Sequence, residues 1–193
     1  LQNCWEVVST LLSIHLVVIR VSLITEFKLP KKFTFPMVRG SALRAERPVY
    51  MDAEMVRMGL VRALIPPKIP LYCTTHDPRA AAMAERISNT RSAAGVALWE
   101  ADLEGGLAVF GNAPTALFYC LEQIAAGALP KPAALIGLPV GFVGAAESKE
   151  ALIEHAADLG LPFITLRGRM GGSAMASAVL NALAKMLMDE ATA

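Results

Sequence analysis

Histidine is the side chain best suited to proton transfer at neutral pH, and the sequence contains His15, His76 and His155. They are not spaced as metal ligands, and the chain has no Gly-x-Ser-x-Gly nucleophile motif. His155 lies within a predicted helix among charged residues, where a solvated surface histidine is expected. His76 follows a predicted strand beside Asp77 and Arg79, so it is the candidate for proton exchange.

Arginine side chains could hold the carboxylates of a ligand. Arg20 stands alone in an apolar segment, and Arg91 begins a predicted helix. An arginine in apolar surroundings needs a carboxylate partner, which the protein or a ligand can provide. For both residues an internal ion pair and a ligand contact remain open. Arg167 and Arg169 flank a glycine after a predicted strand, and we expect at least one of them to be on the surface.

Five loops that follow apolar runs could position such side chains. The segment Gly137–Lys149 has three glycines and one proline between an apolar run and a helix-forming run, which is typical of a strand, a turn and a helix start. Four other apolar runs end in comparable loops, at Met51–Met55, Thr74–Arg79, Gly111–Thr115 and Arg167–Ala174. In a parallel sheet these loops share one edge, and the helix N-termini behind them favour carboxylates or phosphates. We therefore expect an anionic ligand.

The elements that carry these loops alternate between strand and helix. Predicted strands are Pro48–Met51, Leu71–Thr74, Gly106–Gly111, Ala133–Ile136 and Pro162–Leu166. Predicted helices include one capped by Asp52 and closed by Gly59, one running from Asn89 towards Asp102, Ala145–Leu159, and Ser173–Met188. This alternation indicates an α/β fold with a parallel sheet and right-handed crossovers.

Composition predicts one domain over residues 1–193, because 54% of the chain is hydrophobic. The net charge is +1, with seven Lys/Arg against three Glu in residues 1–47. No aromatic and basic interleaving accompanies that excess, so we do not expect nucleic acid to be a partner.

The cysteines predict neither a disulfide scaffold nor a zinc site, because Cys4, Cys73 and Cys120 are scattered without Cys-x-x-Cys spacing. We expect buried thiols in a reducing compartment. The apolar run Val7–Ile24 is interrupted by His15 and by Arg20, so a buried helix fits it better than a membrane span. We expect a cytoplasmic protein that does not bind membranes.

Long motifs in this sequence resemble those of the precorrin-8X methylmutase family, also described as cobalt-precorrin-8 methylmutase. The resemblance covers about residues 37 to 187, in the order of the family. The motifs that carry it are Asp52-Ala-Glu-Met-Val, Asn89-Thr-Arg-Ser-Ala-Ala, Gly111-Asn-Ala-Pro-Thr-Ala-Leu-Phe, Pro130-Lys-Pro-Ala, Gly137-Leu-Pro-Val-Gly-Phe-Val-Gly-Ala-Ala-Glu-Ser-Lys and Arg167-Gly-Arg-Met-Gly-Gly-Ser-Ala-Met.

The resemblance implies an isomerase of cobalamin biosynthesis. Such an enzyme moves a methyl group from C11 to C12 of a corrin-type tetrapyrrole and gives hydrogenobyrinate, or cobyrinate when the substrate contains cobalt. The resemblance also implies a flavodoxin-like open sheet of five parallel strands with helices on both faces, and a homodimer that binds substrate near the subunit interface. It implies no cofactor and no metal. The acid arms of the macrocycle agree with the anionic ligand expected above.

We expect eight side chains to bind the substrate, seven within these motifs and Arg20 before them: Arg20, Asp52, Arg91, Asn112, Thr115, Ser148, Arg167 and Ser173. The family's chemistry is a 1,5-sigmatropic shift assisted by a histidine in a Val-Val-x-Arg-x-x-His motif. Here Arg20 matches the arginine of that motif, but Leu23 occupies the histidine position. The catalytic residue is therefore unassigned, with His76 as a substitute.

Three explanations for Leu23 remain open. Residues 1–36 could be a truncated or sequence-corrupted version of the family's N-terminal segment, which is the explanation that we favour. Alternatively, the protein could bind corrinoid intermediates without turnover, or His76 could supply the proton. A nucleotide-binding α/β module is a further hypothesis. The absence of Gly-x-x-x-x-Gly-Lys-Ser/Thr and Gly-x-Gly-x-x-Gly motifs argues against it.

Overall fold

A computed structural model describes residues 42–99 and 103–191 of the chain. Its strands are β1 (Val49–Met51), β2 (Leu71–Cys73), β3 (Leu107–Phe110), β4 (Ala134–Gly137) and β5 (Phe163–Thr165). They form one sheet of five strands in the order β2-β1-β3-β4-β5. Every neighbouring pair is parallel. This order is the flavodoxin-like one, so the predicted fold class is confirmed.

In the described part of the chain, five helices lie in the connections between the strands, and a sixth follows the last strand. In chain order they are α1 (Glu54–Met58), α2 (Ala80–Arg86), α3 (Arg91–Ala97), α4 (Pro114–Ala125), α5 (Ala145–Leu159) and α6 (Ser173–Ala191). No helix among the described residues is long and apolar enough to cross a membrane.

Two apolar clusters cover the two faces of the sheet. Alternate residues of a strand point to opposite faces, and in β1 Val49 and Met51 belong to one cluster while Tyr50 belongs to the other. Helix α6 packs on the first face through residues such as Leu180, and α4 packs on the second face through residues such as Leu117. A sheet buried on both faces needs continuous apolar strands, which explains the apolar runs in the sequence.

Most predicted boundaries agree with the structure to within a residue or two. Helix α5 has the predicted bounds. Four of the five predicted strands are present in slightly shortened form, and β4 has the predicted length but is shifted by one residue. Helix α3 is shorter than predicted. It ends at Ala97, and Leu98 is its C-cap. There the indole Nε1 of Trp99 donates to Thr74 Oγ1 over 3.0 Å. This bond ties the end of α3 to the residue that follows β2.

The predicted helix cap by Asp52 is wrong. Helix α1 begins at Glu54, its N-cap residue is Ala53, and no side chain makes a capping hydrogen bond there. The prediction that Gly59 closes this helix is confirmed, since Gly59 is its C-cap. Predictions about residues 1–36, including the helix at Val7–Ile24 and the thiol of Cys4, lie outside the described residues. The single-domain organisation stays a prediction.

Candidate functional site

The five loops singled out in the sequence lie on one edge of the sheet, because each follows one of five mutually parallel strands. The strand order reverses between β1 and β3, since the chain passes from β1 outwards to β2 and then returns to β3 on the other side. In open parallel sheets a ligand crevice forms at this reversal, beyond the carboxyl ends of the strands. The candidate site is therefore the loop edge around β1 and β3.

Asp52 joins the two loops at this reversal. Its carboxylate accepts backbone N–H bonds from Gly111 (2.8 Å), Asn112 (2.9 Å) and Ala113 (2.7 Å). The residue is only 2% exposed. Burial raises the pKa of the Asp52 carboxyl above its ordinary value, and the three N–H donors oppose that rise. Asp52 thus holds the β3–α4 loop in position, a role that requires contacts between residues distant in sequence.

The start of α4 lies beside the start of α3. The hydroxyls of Thr115 and Thr90 are 2.8 Å apart, and Thr90 also caps α3 by accepting the N–H of Ala93. Asn112 is exposed in the β3–α4 loop, Thr115 is exposed in the first turn of α4, and Arg91 is exposed in the first turn of α3. The structure thus brings three of the predicted substrate-binding residues to neighbouring loops. Their contact with a ligand stays a prediction.

The β4–α5 and β5–α6 loops are packed directly against each other. The N–H of Gly172 donates to Leu138 O over 2.8 Å, and the Lys149 ammonium donates to Met170 O over 2.6 Å. A side chain at Gly171 would place its Cβ 2.3 Å from Leu138 O and 2.6 Å from Pro139 O, so only glycine fits there. These contacts explain the paired glycines of the sequence motif.

Large apolar side chains on these two loops face outwards. Phe142 is 85% exposed, Val143 is 90% exposed, and Met170 is 67% exposed. The guanidinium of Arg169 lies 5.9 Å from the centre of the Phe142 ring, within the range of a cation–π contact. Contiguous exposed apolar side chains are typical of binding surfaces, whereas single exposed ones are common anywhere on a protein. We call Phe142, Val143, Arg169 and Met170 the apolar patch.

Three of the remaining predicted substrate-binding residues occupy this end of the site. Arg167 is exposed, and its guanidinium is 3.7 Å from the Glu150 carboxylate. Ser148 is fully buried, and its hydroxyl donates to Ala145 O within α5. Ser173 is 7% exposed at the first turn of α6. Direct contact of Ser148 and Ser173 with a substrate stays a prediction. In the described chain, Ser148 already has an internal hydrogen-bond partner.

His76 lies in an exposed turn after β2. The carboxylate of its neighbour Asp77 is directed to Arg79, from which it accepts two side-chain bonds and one backbone bond. The Arg79 bonds lower the pKa of Asp77 to about 2. The turn lies next to the crevice, since the Thr75 hydroxyl donates to Asp52 O over 2.8 Å. A catalytic role for His76 stays a prediction.

The two described cysteines and His155 lie where residues without a catalytic role were expected. Cys120 is fully buried, and burial raises the pKa of its thiol. Cys73 is half-buried, and burial raises its thiol pKa as well. His155 is exposed on α5, as expected. Arg20 and Leu23 lie outside the described residues.

Residues 42–99 and 103–191 contain no metal cluster, and one cavity lies away from this edge. No three His, Cys, Asp or Glu side chains there are grouped as metal ligands. A shallow cavity of about 500 Å³ lies at the end of α1 and the start of β2, lined by Arg57, Met58, Leu60, Arg62, Ile69 and Leu71. Since Leu71 pairs with the first residue of β1, that cavity is near the amino ends of the strands, away from the five loops.

Sequence reasoning missed Lys149 and the apolar patch as parts of the site. Lys149 belongs to a quoted motif, but only the fold shows that its ammonium reaches the next loop. A signal for the patch was present in the sequence. Phe142 and Val143 stand between Gly141 and Gly144 in a segment that cannot continue a strand, where apolar side chains have no core to enter.

The profile of the precorrin-8X methylmutase family matches residues 36–186. The chain belongs to this family. It is 54% identical to a precorrin-8X methylmutase of Sinorhizobium over 145 residues, which cover 75% of this chain and 68% of the relative. It is 52% identical over 145 residues, with the same coverage, to a precorrin-8X methylmutase of Pseudomonas aeruginosa. A cobalt-precorrin-8 methylmutase of Priestia megaterium is 40% identical over 145 residues, which cover 74% of this chain and 61% of that protein.

Solved structures agree with this assignment. The precorrin-8X methylmutase of Thermus thermophilus superposes with a TM-score of 0.66 at 34% identity, over 77% of this chain and 70% of that one. A precorrin-8X methylmutase related protein superposes with a TM-score of 0.68 at 29% identity, over 81% of this chain and 78% of that one. The resemblance identified from the sequence motifs is therefore confirmed. The enzymes of the family are isomerases of cobalamin biosynthesis.

Proposed function

We propose that this protein is a methylmutase that moves a methyl group from C11 to C12 of precorrin-8X, giving hydrogenobyrinate. Cobalt-precorrin-8, which gives cobyrinate, is the metal-containing form of the same substrate. The observation that carries the proposal is the joined pair of loops on the edge of the sheet, with exposed apolar side chains beside arginines. The matches to methylmutases over most of the described chain support it.

The site suits a flat ring with acidic arms. The apolar patch offers Phe142, Val143 and Met170 for the faces or edges of the ring. Arg167 and Arg169 stand on the same loop and can bind carboxylates of the acetate and propionate arms. The positive N-terminal end of α5 adds attraction for the same groups.

The reaction is intramolecular, so the protein supplies position and one proton. The bond from the methyl carbon to C11 breaks while a bond from the same carbon to C12 forms, and no group leaves the substrate. A proton donor assists the shift by protonating the ring system, and a proton returns to the donor after the shift because substrate and product are isomers. Binding the ring in one orientation and excluding water then lowers the remaining barrier. This chemistry explains why the site is built from loops and apolar side chains without a nucleophile.

The alternative function is corrinoid binding without turnover. It is favoured by one specific observation, the presence of Leu23 where the resemblance expects the proton donor. The crevice and the arginines serve a binder equally well, so the two functions differ only in catalysis.

Two measurements separate these functions. An absorbance titration with hydrogenobyrinate tests binding, and conversion of precorrin-8X followed at several pH values tests turnover. We expect the chain to bind the product, and we expect Leu23→His to convert substrate faster than the parent chain. His76→Ala in both backgrounds serves as the control for a substitute donor. If Leu23→His has no turnover although it binds the product, a missing proton donor is not the main defect.

The assembly is part of the proposal. A homodimer with the substrate near the subunit interface would cover the apolar patch, which otherwise leaves Phe142 and Val143 in water. Light scattering after gel filtration, with Phe142→Ser for comparison, tests this. A monomer that still binds hydrogenobyrinate would remove the dimer from the proposal but leave the ligand. We also propose a single domain, a cytoplasmic location and no resident cofactor.

A further inference from the structure

Lys149 is a buried cation whose presence the stability of the fold does not explain. The residue is fully buried in the second turn of α5, and its Nζ donates to Met170 O over 2.6 Å. The neighbouring Glu150 carboxylate favours the charged form of Lys149, but among the described residues the ion pair of Glu150 is with Arg167. Burial lowers the pKa of the Lys149 amine, as expected for a charge taken out of water. An apolar side chain of similar length would be cheaper to bury.

Lys149 bonds to a short segment, residues 168–172, that begins and ends with glycine. Gly168 has φ +82° and Gly172 has φ +124°, both in the region that glycine adopts most easily. Between them Arg169 and Met170 have exposed side chains, and Gly171 has no side chain. Core packing therefore does not fix this segment. It lies close to Leu138 and Pro139 at Gly171 and to Phe142 at Arg169, and two hydrogen bonds tie its backbone down, from Lys149 Nζ to Met170 O and from Gly172 N–H to Leu138 O.

We propose that Lys149 is a positioning residue that fixes residues 168–172 so that Arg169 and Met170 present their side chains to the substrate. The inference rests on the proposed function, because it assigns a purpose to the apolar patch. Lys149 acts through Met170 O, and Arg169 receives the effect because it is the preceding residue and lies against Phe142. Loss of the bond lets the segment sample more positions, so ligand affinity falls while the core remains intact.

The test compares Lys149→Met with a matched lysine. Lys131 also donates to a backbone carbonyl, Leu159 O at 3.1 Å, but it precedes β4 at the opposite edge of the sheet. We expect Lys149→Met to weaken hydrogenobyrinate binding about tenfold, the loss expected for one hydrogen bond to a charged group. Amide hydrogens of residues 170–173 should exchange faster. The midpoint of thermal unfolding should be unchanged or higher. Lys131→Met should change neither affinity nor exchange at residues 170–173.

Lys149→Arg, which keeps an N–H donor, provides the rescue. Protection of residues 170–173 and product affinity should recover together in this variant. Unchanged affinity in Lys149→Met would overturn the proposal. So would weaker binding without faster exchange of the segment, or affinity that stays low in Lys149→Arg after protection has returned. If the parent chain itself fails to bind hydrogenobyrinate, the proposed function is wrong, and the exchange data still decide whether Lys149 holds the loop.

Discussion

Asp52→Asn tests the contact that joins the two loops at the strand-order reversal. The carboxylate offers only acceptors, and it takes one N–H at Oδ1 and two at Oδ2. Asparagine replaces one oxygen by an NH₂ group, which cannot accept. In its better orientation the amide oxygen serves Asn112 and Ala113, and the NH₂ group faces the N–H of Gly111. At least one buried N–H is then left without a partner.

The loss of stability follows from the number of buried N–H groups left without an acceptor. An unpaired buried donor costs about 1–3 kcal/mol, and release from burying a charge offsets part of the loss. We expect Asp52→Asn to reduce the free energy of unfolding by about 2 kcal/mol. For a chain of this size that corresponds to a decrease of roughly 4–8 °C in the thermal midpoint.

Urea unfolding followed by circular dichroism measures the change in the free energy of unfolding, and a thermal scan measures the change in the thermal midpoint. Asp158→Asn, at an exposed position on α5, is the control and should alter the midpoint little. Product affinity should also fall in Asp52→Asn, because the β3–α4 loop is no longer fixed. A thermal midpoint equal to that of the parent chain would refute the reasoning. It would mean that the three loop N–H groups do not need the Asp52 carboxylate as their acceptor.

Two further predictions concern loops on the same edge. Gly171→Ala should weaken hydrogenobyrinate binding by about tenfold or more and lower the thermal midpoint. Its Cβ would lie 2.3 Å from Leu138 O and 2.6 Å from Pro139 O, so the loops must separate, and a titration that matches the parent chain would contradict this packing. Arg79 lowers the pKa of Asp77 to about 2, so the stabilising contribution of the pair is present above the ordinary carboxyl pKa and lost as the pH falls towards 2. In an NMR titration Arg79→Met should raise the Asp77 midpoint part of the way towards its ordinary range, because the backbone N–H of residue 79 still donates to the carboxylate. A midpoint that stays near 2 would assign the shift to a cause other than the Arg79 side chain.

Much of the fold could be predicted because local signals and the fold agree. Gly144 and Gly160 flank α5 in the left-handed region, so the sequence marked both ends of this helix. The apolar run Leu107–Phe110 is fully buried as β3, because a central parallel strand needs apolar residues on both faces.

The misses share one physical origin. Asp52 precedes α1 as a helix cap would, and the local pattern cannot reveal that its acceptors are taken by residues near position 111. Lys149 looks like a surface residue of a helix, although its Nζ reaches the loop after β5. In both cases a polar side chain bonds to a backbone group that is distant along the chain.

By itself the sequence determined the alternation of strands and helices, the loops that carry the site and the family to which the chain belongs. These properties follow from apolar periodicity, from glycine and proline positions and from long motifs, all of which are local. Only the tertiary structure decided which loops touch, which carboxylate holds which amides and which apolar side chains remain exposed. Those outcomes depend on strand order and burial, which bring together groups that the chain keeps far apart.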